Sequence, residues 1–473
     1  MAKILPQIKN IVVVMFENRS LDNLCGWLYS NTQPTSYLPA GSPLAYNGLD
    51  PALWNPSNAS YFDGEPPQKV PVKQGTTGYL VPDPDPEETF DNVTCQLYGP
   101  KGPNSNPARP MQGFVLNYEK ADSTLSNPDQ IMETYTPAQV PVLSALAQNY
   151  AISDAWFCSV PSQTLPNRAF VHAGTSNGKV DNGDFPDPFD FDVPSIFNVL
   201  QTRGVGWTVY SDTILTPSLT RTFFPKLWDP ILEDHFKGFG AFEDDCANNS
   251  LPEYSFIEPS FLFEPNDQHP PHDVSAGEQF LYKIWQAVSQ SPGWNNILLV
   301  IMYDEHGGCY DHVLPPTGTA TPDSASDPGD QGFRFDRFGV RVPVVVVSPY
   351  IQAGTVFRSN TSTPYVHKSI LATLRDWLEI PPGDMLPSKR ICKAPNLEQV
   401  LTLAAPRSVT PQIPPPRPAL PTSLTLSPNS LQKSLLSGAA HRFGLHPQLL
   451  IAKIPTRQHA VDFFKRRASR AHK

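Results

Sequence analysis

Positive charge is what this sequence has least to spare. Its 35 Lys and Arg are outnumbered by 45 Asp and Glu, a formal net charge of -10. That balance argues against nucleic acid as a partner, because phosphate-backbone binding needs clustered cations. Long hydrophobic runs are missing too: no apolar stretch reaches the roughly 18 residues that cross a bilayer. The opening stretch MAKILPQIKNIVVVMFENRS has no A-x-A-like cleavage site. It reads as strand and not as signal peptide, so a cytoplasmic or peripheral-membrane location is expected. Cysteine is sparse, six residues widely scattered and none in a CxxC pair, as expected of structural thiols in a reducing compartment.

Proline, by contrast, is abundant at 54 residues, while charged residues are only 17% of the chain. Long, irregular but ordered loops follow from that pairing better than disorder does. Continuous apolar runs in NNILLVIMYDE and RVPVVVVSPY, with shorter ones at 150–153 and 207–211, suit strands covered on both faces. Helical periodicity separates them in VPVLSALAQNY, SAGEQFLYKIWQAVSQS and YVHKSILATLRDWLEI. This alternation predicts an α/β fold with a mostly parallel sheet and helices on both faces. Residues 32–112 read as a long loop insertion, a lid or pocket wall. Composition breaks near Ala404, giving a catalytic domain over 1–403, a Pro-rich linker over 404–428 and a basic tail over 429–473. A solvated tail is expected, with peripheral contact to anionic lipid as the sharper alternative.

Two apolar strands end abruptly in oxygen ligands. IVVVMFENRS stops at Glu17 and Asn18, and IMYDEHGGCYDHV stops at Asp304 and Glu305, followed by His306, Asp311 and His312. Burying an unpaired carboxylate is costly, so two such strand ends point to a hard-cation site at a sheet edge. A third stretch, CSVPSQTLPNRAFVHAGTSNG, brackets Thr164 between Pro161 and Pro166 and follows it with Asn167 and Arg168. A hydroxyl on a stiff turn, next to Arg and near a divalent cation, is a pattern for phosphoryl transfer. Two lesser stretches join these. NDQHPPHDVSAGEQF carries Asp267, His269, His272 and Asp273 ahead of a helix N-terminus, which favours anions, although Asp273 equally fits an N-cap. His367 lies near the start of another helix, where a structural role is equally open.

With these residues on the page, the chain resembles the phosphoesterase family of phosphatidylcholine-type and plant non-specific phospholipases C and related acid phosphatases. The matching motifs run in order from residue 9 to about 380. The resemblance implies an alkaline-phosphatase-like three-layer α/β/α sandwich. It implies Glu17, Asn18, Asp304 and Glu305 as metal ligands and Thr164 as nucleophile. His306, Asp311 and His312 would hold phosphate or protonate the leaving group, and Asn167, Arg168, His269, His272, Asp273 and His367 would contact substrate. One departure stands out: relatives carry a His in a DPGHSF-like segment, where this chain reads DPDPEETFDN and places Glu88. The expected cofactor is one or more divalent ions, Ca, Mg or Mn on ligand hardness, with Zn left open by superfamily analogy. The expected activity is phospholipase C, releasing diacylglycerol from a phospholipid. A phosphomonoesterase with the same site and a non-catalytic lipid- or phosphate-binding homologue are the alternatives.

Overall fold

The computed structural model describes residues 4–102, 109–121, 125–183, 191–213 and 215–471, with side chains described up to residue 467. Its centre is a nine-stranded sheet. The strands lie side by side in the order Phe236–Gly238, Trp207–Ser211, Tyr254–Glu258, Asn10–Phe16, Ile297–Tyr303, Val344–Val347, Ala151–Ser153, Thr355–Phe357 and Ser36–Leu38. All neighbours are parallel except those of Val344–Val347, which runs antiparallel to both. That strand was legible as buried from its four valines, but its direction was not. Burial on both faces demands the same residues whichever way the chain runs.

Every residue of the Ile297–Tyr303 strand is buried, as is every residue of Asn10–Phe16 after the first. Full burial of each such Val, Ile or Leu contributes about 1.5–3 kcal/mol, so these two strands anchor the sheet. Helices Pro141–Asn149, Phe239–Ala247 and Val274–Gln290 pack together as one layer. Thr164–Ala173, Ile196–Thr202 and Lys368–Trp377 form the other. The fold is thus α/β, with three layers and a mostly parallel sheet.

Two stretches differ from their sequence reading. The 32–112 insertion is not structureless: it holds strands Trp54–Pro56 and Lys69–Pro71 and helix Phe90–Tyr98. It shares a second core, built around Val70, Val93, Leu97, Phe114 and Met132. Residues 103–108 of it lie outside the described residues. The basic tail is not solvated. It folds into helices Ser430–Arg442, Pro447–Ile451 and Arg457–Ala471, whose Leu436, Ala439, Val461 and Phe464 pack against Leu262. Its apolar residues are spaced too loosely among Lys and Arg to signal this from periodicity alone. All six cysteines are unpaired, and no described helix is long and apolar enough to cross a membrane.

Candidate active site

Strands Asn10–Phe16 and Ile297–Tyr303 pair in parallel register from Asn10 opposite Ile297 to Phe16 opposite Tyr303. Their ends are therefore level, and Glu17 and Asn18 emerge beside Asp304 and Glu305. The Asp304 carboxylate accepts from the Asn18 amide at 2.9 Å and from the Glu305 amide at 2.7 Å, binding one strand end to the other. Asn18 adopts a φ of +53°, a left-handed conformation that Asn tolerates better than most residues. Gly307 packs so tightly here that an added Cβ would sit 2.2 Å from the Asn18 carbonyl oxygen, and its φ of +61° also favours glycine.

Thr164 is the first residue of the Thr164–Ala173 helix. Its hydroxyl donates to Glu17 Oε2 at 3.1 Å and lies 3.4 Å from Asn18 Oδ1. Four residues on, one turn along the helix, Arg168 donates from Nε to Glu17 Oε1 at 2.8 Å and from Nη2 to the Met15 carbonyl at 3.0 Å. Its Nη1 is buried without a partner. The loop ahead of the Val274–Gln290 helix enters from a third side, joined where the Glu17 amide donates to the Asp267 carbonyl at 2.9 Å. His272 Nδ1 contacts Asp267 Oδ1 at 2.6 Å, and His269 Nδ1 contacts the Pro270 carbonyl at 2.7 Å. The Nε2 atoms of both rings are buried and unpartnered. Burial holds both imidazoles below their ordinary pKa, against the opposing pull of Asp267.

Charge at this edge is one-sided. Glu17, Glu88, Asp267, Asp304 and Glu305 are all essentially buried and face Arg168 and, at the rim, Arg457. Burial raises Glu17 well above the carboxylate range, and Asp304 adds to the rise despite Arg168. Glu305 is raised likewise by burial and then by Glu88 and Asp304. Asp304 Oδ2, Glu305 Oε1, Glu88 Oε2, Asp267 Oδ2 and the Asn18 side-chain nitrogen find no protein partner. Among the described residues only Asp22, Asp311 and His312 bring three ligand atoms within 4.8 Å of one another. Buried polar atoms are normally satisfied, however, and orphaned carboxylate oxygens among surplus acids are hard donors of the kind a divalent cation takes. The donor set therefore accepts the implied metal.

Other expected site residues are engaged elsewhere. Asp311 and His312 join Asp22 and Arg341 in a separate cluster. Arg341 bonds Asp22 at 2.9 Å and Asp311 at 3.0 Å, and His312 Nδ1 contacts Asp22 at 2.6 Å. Asp22, Asp311 and His312 are close enough together to suggest a metal cluster, but the Arg341 guanidinium already bridges the two acids. Asn167 spends its whole amide on the turn ahead of Thr164. It accepts from the Ser159 and Val160 amides and donates to the Val160, Ser162 and Gln163 carbonyls, which corrects its expected place on substrate. Asp273 caps the Val274–Gln290 helix and binds Arg417 at 2.6 Å. His367 accepts from the Trp156 indole at 3.3 Å and turns its other nitrogen to the Asp304 carbonyl, so both ring nitrogens are engaged within the protein and brace the Asp304 backbone. His306 contacts Gln96 Oε1 at 2.8 Å through Nε2, while its Nδ1 lies 3.4 Å from Glu305. Burial drives its pKa down to about 3.

Comparison with known proteins accords with this geometry. A model of the Phosphoesterase family matches residues 8–381. The chain belongs to the phosphoesterase family. It is 35% identical over 377 residues to non-specific phospholipase C6 of Arabidopsis thaliana, covering 78% of this chain and 67% of that protein. It is 33% identical over 416 residues to non-specific phospholipase C3 of the same plant, covering 85% and 75%. Phospholipase C B of Mycobacterium tuberculosis is 28% identical over 440 residues, covering 83% and 79%. A solved alkaline phosphatase superfamily protein from Vibrio parahaemolyticus is 11% identical with a TM-score of 0.30, covering 51% of this chain and 60% of that one. That likeness is too slight to bear on the fold, which rests on the sheet itself.

This phosphoesterase, a phosphoric ester hydrolase by family, also uses residues that carry no sequence signal. Gln163 donates to Glu88 Oε1 at 3.2 Å and accepts from the Asn182 amide at 3.0 Å, while Asn182 accepts from the Leu165 amide at 2.8 Å. Together they brace the Thr164 turn and hold Glu88 against the cluster, where burial and then Asp85 and Glu87 raise it well above the carboxylate range. Arg457, first residue of the last helix and 4% exposed, brings positive charge to Asp267 and Asp85 from beyond the Pro-rich stretch. Nothing in the sequence marks it off from its basic neighbours.

Proposed function

We propose that this protein is a phospholipase C that cleaves glycerophospholipids through a phospho-threonine at Thr164. The observation that carries this reading is the Thr164 hydroxyl at a helix N-terminus, 3.1 Å from Glu17 among buried, unpartnered oxygens. A divalent cation held by Glu17, Asn18, Asp304 and Glu305 would lower the pKa of the Thr164 hydroxyl and neutralise charge on the phosphoryl oxygens. Thr164 Oγ attacks phosphorus in line with the departing glycerol oxygen, forming one P–O bond as the other breaks. Arg168 Nη1 and the first amides of the helix favour negative charge where it builds. The Thr164 hydroxyl proton passes to Glu17 Oε2, its hydrogen-bond partner. His272, oriented by Asp267 and entering the cycle protonated, gives the Nε2 proton to the leaving diacylglycerol alkoxide and regains one from the attacking water, while Glu17 returns its proton to the freed Thr164 oxygen. Burial, with Asp85 and Glu87, raises the Glu88 carboxyl well above the carboxylate range, which weakens its repulsion of the phosphate.

The named phospholipases C among the relatives support a diester substrate over a monoester. Thr164→Ala should abolish turnover and leave the melting temperature unchanged. Comparing phosphatidylcholine micelles with p-nitrophenyl phosphate separates phospholipase from phosphatase. Near-normal activity of the variant ends the nucleophile assignment, and preference for the monoester ends the lipid one.

A further inference from the structure

A cleft of about 630 Å³ opens between the catalytic body and the C-terminal helices. The Ser430–Arg442 helix lies against the Leu219–Phe223 helix, so close that a Cβ on Gly438 would stand 2.6 Å from Thr222. Arg221 and Lys237 line one side, Arg442 and Arg467 the other, with Phe236, Phe443 and Phe464 between them. Of the lining acids only Glu233 is present, and it is paired to Arg221 at 2.5 Å. Lys237 has only a distant carboxylate, Asp245 at 3.8 Å. Arg467 lies over the Phe443 ring at 5.0 Å. The Arg442 side chain makes no hydrogen bond or ion pair among the described residues, and burial and the like charge of Arg221 pull its pKa below the usual range against the opposing charge of Glu233.

In a chain of net charge -10, Arg442 and Arg467 without an ion pair among the described residues, beside Lys237 with only its 3.8 Å pair to Asp245, make this cleft more cationic than the surface at large. Guanidinium forks match phosphate oxygens, and an aromatic wall beside them matches the apolar part of an amphiphile. No residue of the Thr164 cluster lines the cleft, and Arg442, Phe443, Phe464 and Arg467 all lie beyond residue 381, where the family match ends.

We propose that this cleft is a second phosphate site that seats the headgroup of an anionic phospholipid, apart from the site that cleaves substrate. Guanidinium groups of Arg442 and Arg467 hold the phosphate, and Phe443 and Phe236 take the glycerol and first acyl carbons. The C-terminal helices thereby orient the enzyme on an anionic lipid surface, by a built pocket and not by diffuse attraction.

The test uses the full chain and three probes: dioctanoyl phosphatidic acid, dioctanoyl phosphatidylcholine and glycerol phosphate, with hydrolysis followed in parallel. R442Q/R467Q should weaken phosphatidic acid binding about tenfold or more, with unchanged turnover of monomeric phosphatidylcholine. K465Q/R466Q removes the same charge from exposed positions of the last helix that do not line the cleft. It should change binding less than about twofold. Should the double variant melt early, R467Q alone at its half-exposed position carries the comparison. Equal losses in the two pairs, or no loss in R442Q/R467Q, overturn the pocket. Glycerol phosphate binding as tightly as the lipid overturns the lipid source.

Discussion

The same two chain segments build two charged clusters, and the clusters are opposites. Residues 17 and 304–305 supply three carboxylates, of which Asp304 and Glu305 each leave one oxygen without a protein partner while Glu17 is held by Thr164 and Arg168. A few residues on, Asp22, Asp311 and His312 supply as many titratable groups, but Arg341 bridges both acids and donates further to the Asn47 and Asp154 carbonyls. Both clusters lie largely within the protein, the first with three carboxylates and the second with two carboxylates and a half-buried histidine. A satisfied buried charge network holds loops in place, while an unsatisfied one stores a demand that only a ligand meets. The difference teaches that site residues are told from structural ones by what remains unpaired.

The sharpest way to break that comparison is Glu305→Gln. It should lower turnover by at least about 10²–10³-fold. With chelator present, its melting temperature should equal or exceed that of the parent, because one repelling buried charge is gone. A lowered melting point under chelator would place Glu305 with the structural cluster. The converse variant is Arg341→Met, expected to cost about 3–5 kcal/mol by leaving Asp22 and Asp311 unpaired, as read by denaturant unfolding. Chelation of the parent enzyme should lower its melting temperature, and the drop should vanish in Glu17→Gln, since only a folded site binds the ion.

The smallest effect concerns pH. Burial lowers the His312 pKa, but the hydrogen bond and charge of Asp22 outweigh it, leaving the pKa above the ordinary value. A raised folded pKa contributes stability that is fully present below about 6.5 and is lost as pH rises through the folded value. The stability gap between parent and His312→Asn should therefore narrow from pH 6 to pH 9, with turnover little changed. A gap that widens with pH, or a large loss of turnover, would return His312 to the reacting centre.

Much of the site is legible in the sequence because buried strands cannot end in Glu-Asn or Asp-Glu without a reason. The Thr164 turn is legible because two prolines stiffen it. Asn167, Asp273 and His367 misled for a shared reason: the residue types that bind phosphate also cap helices and tie turns, and only hydrogen-bond partners separate the two uses. Gln163, Asn182 and Arg457 left no trace, since an amide in a loop or an arginine in a basic helix is ordinary until it is seen touching something.

By itself, the sequence determined the alternation that makes an α/β sheet, the apolar strands at its centre and the oxygen-bearing side chains at their ends. Those follow from local periodicity and from the cost of burying charge, which act along the chain. Only the tertiary structure decided that the two strand ends are neighbours in level register, that Arg341 silences one cluster, and that the basic tail folds back to wall a cleft. Each depends on contacts between residues hundreds of positions apart, and no local pattern encodes which distant partner answers a charge.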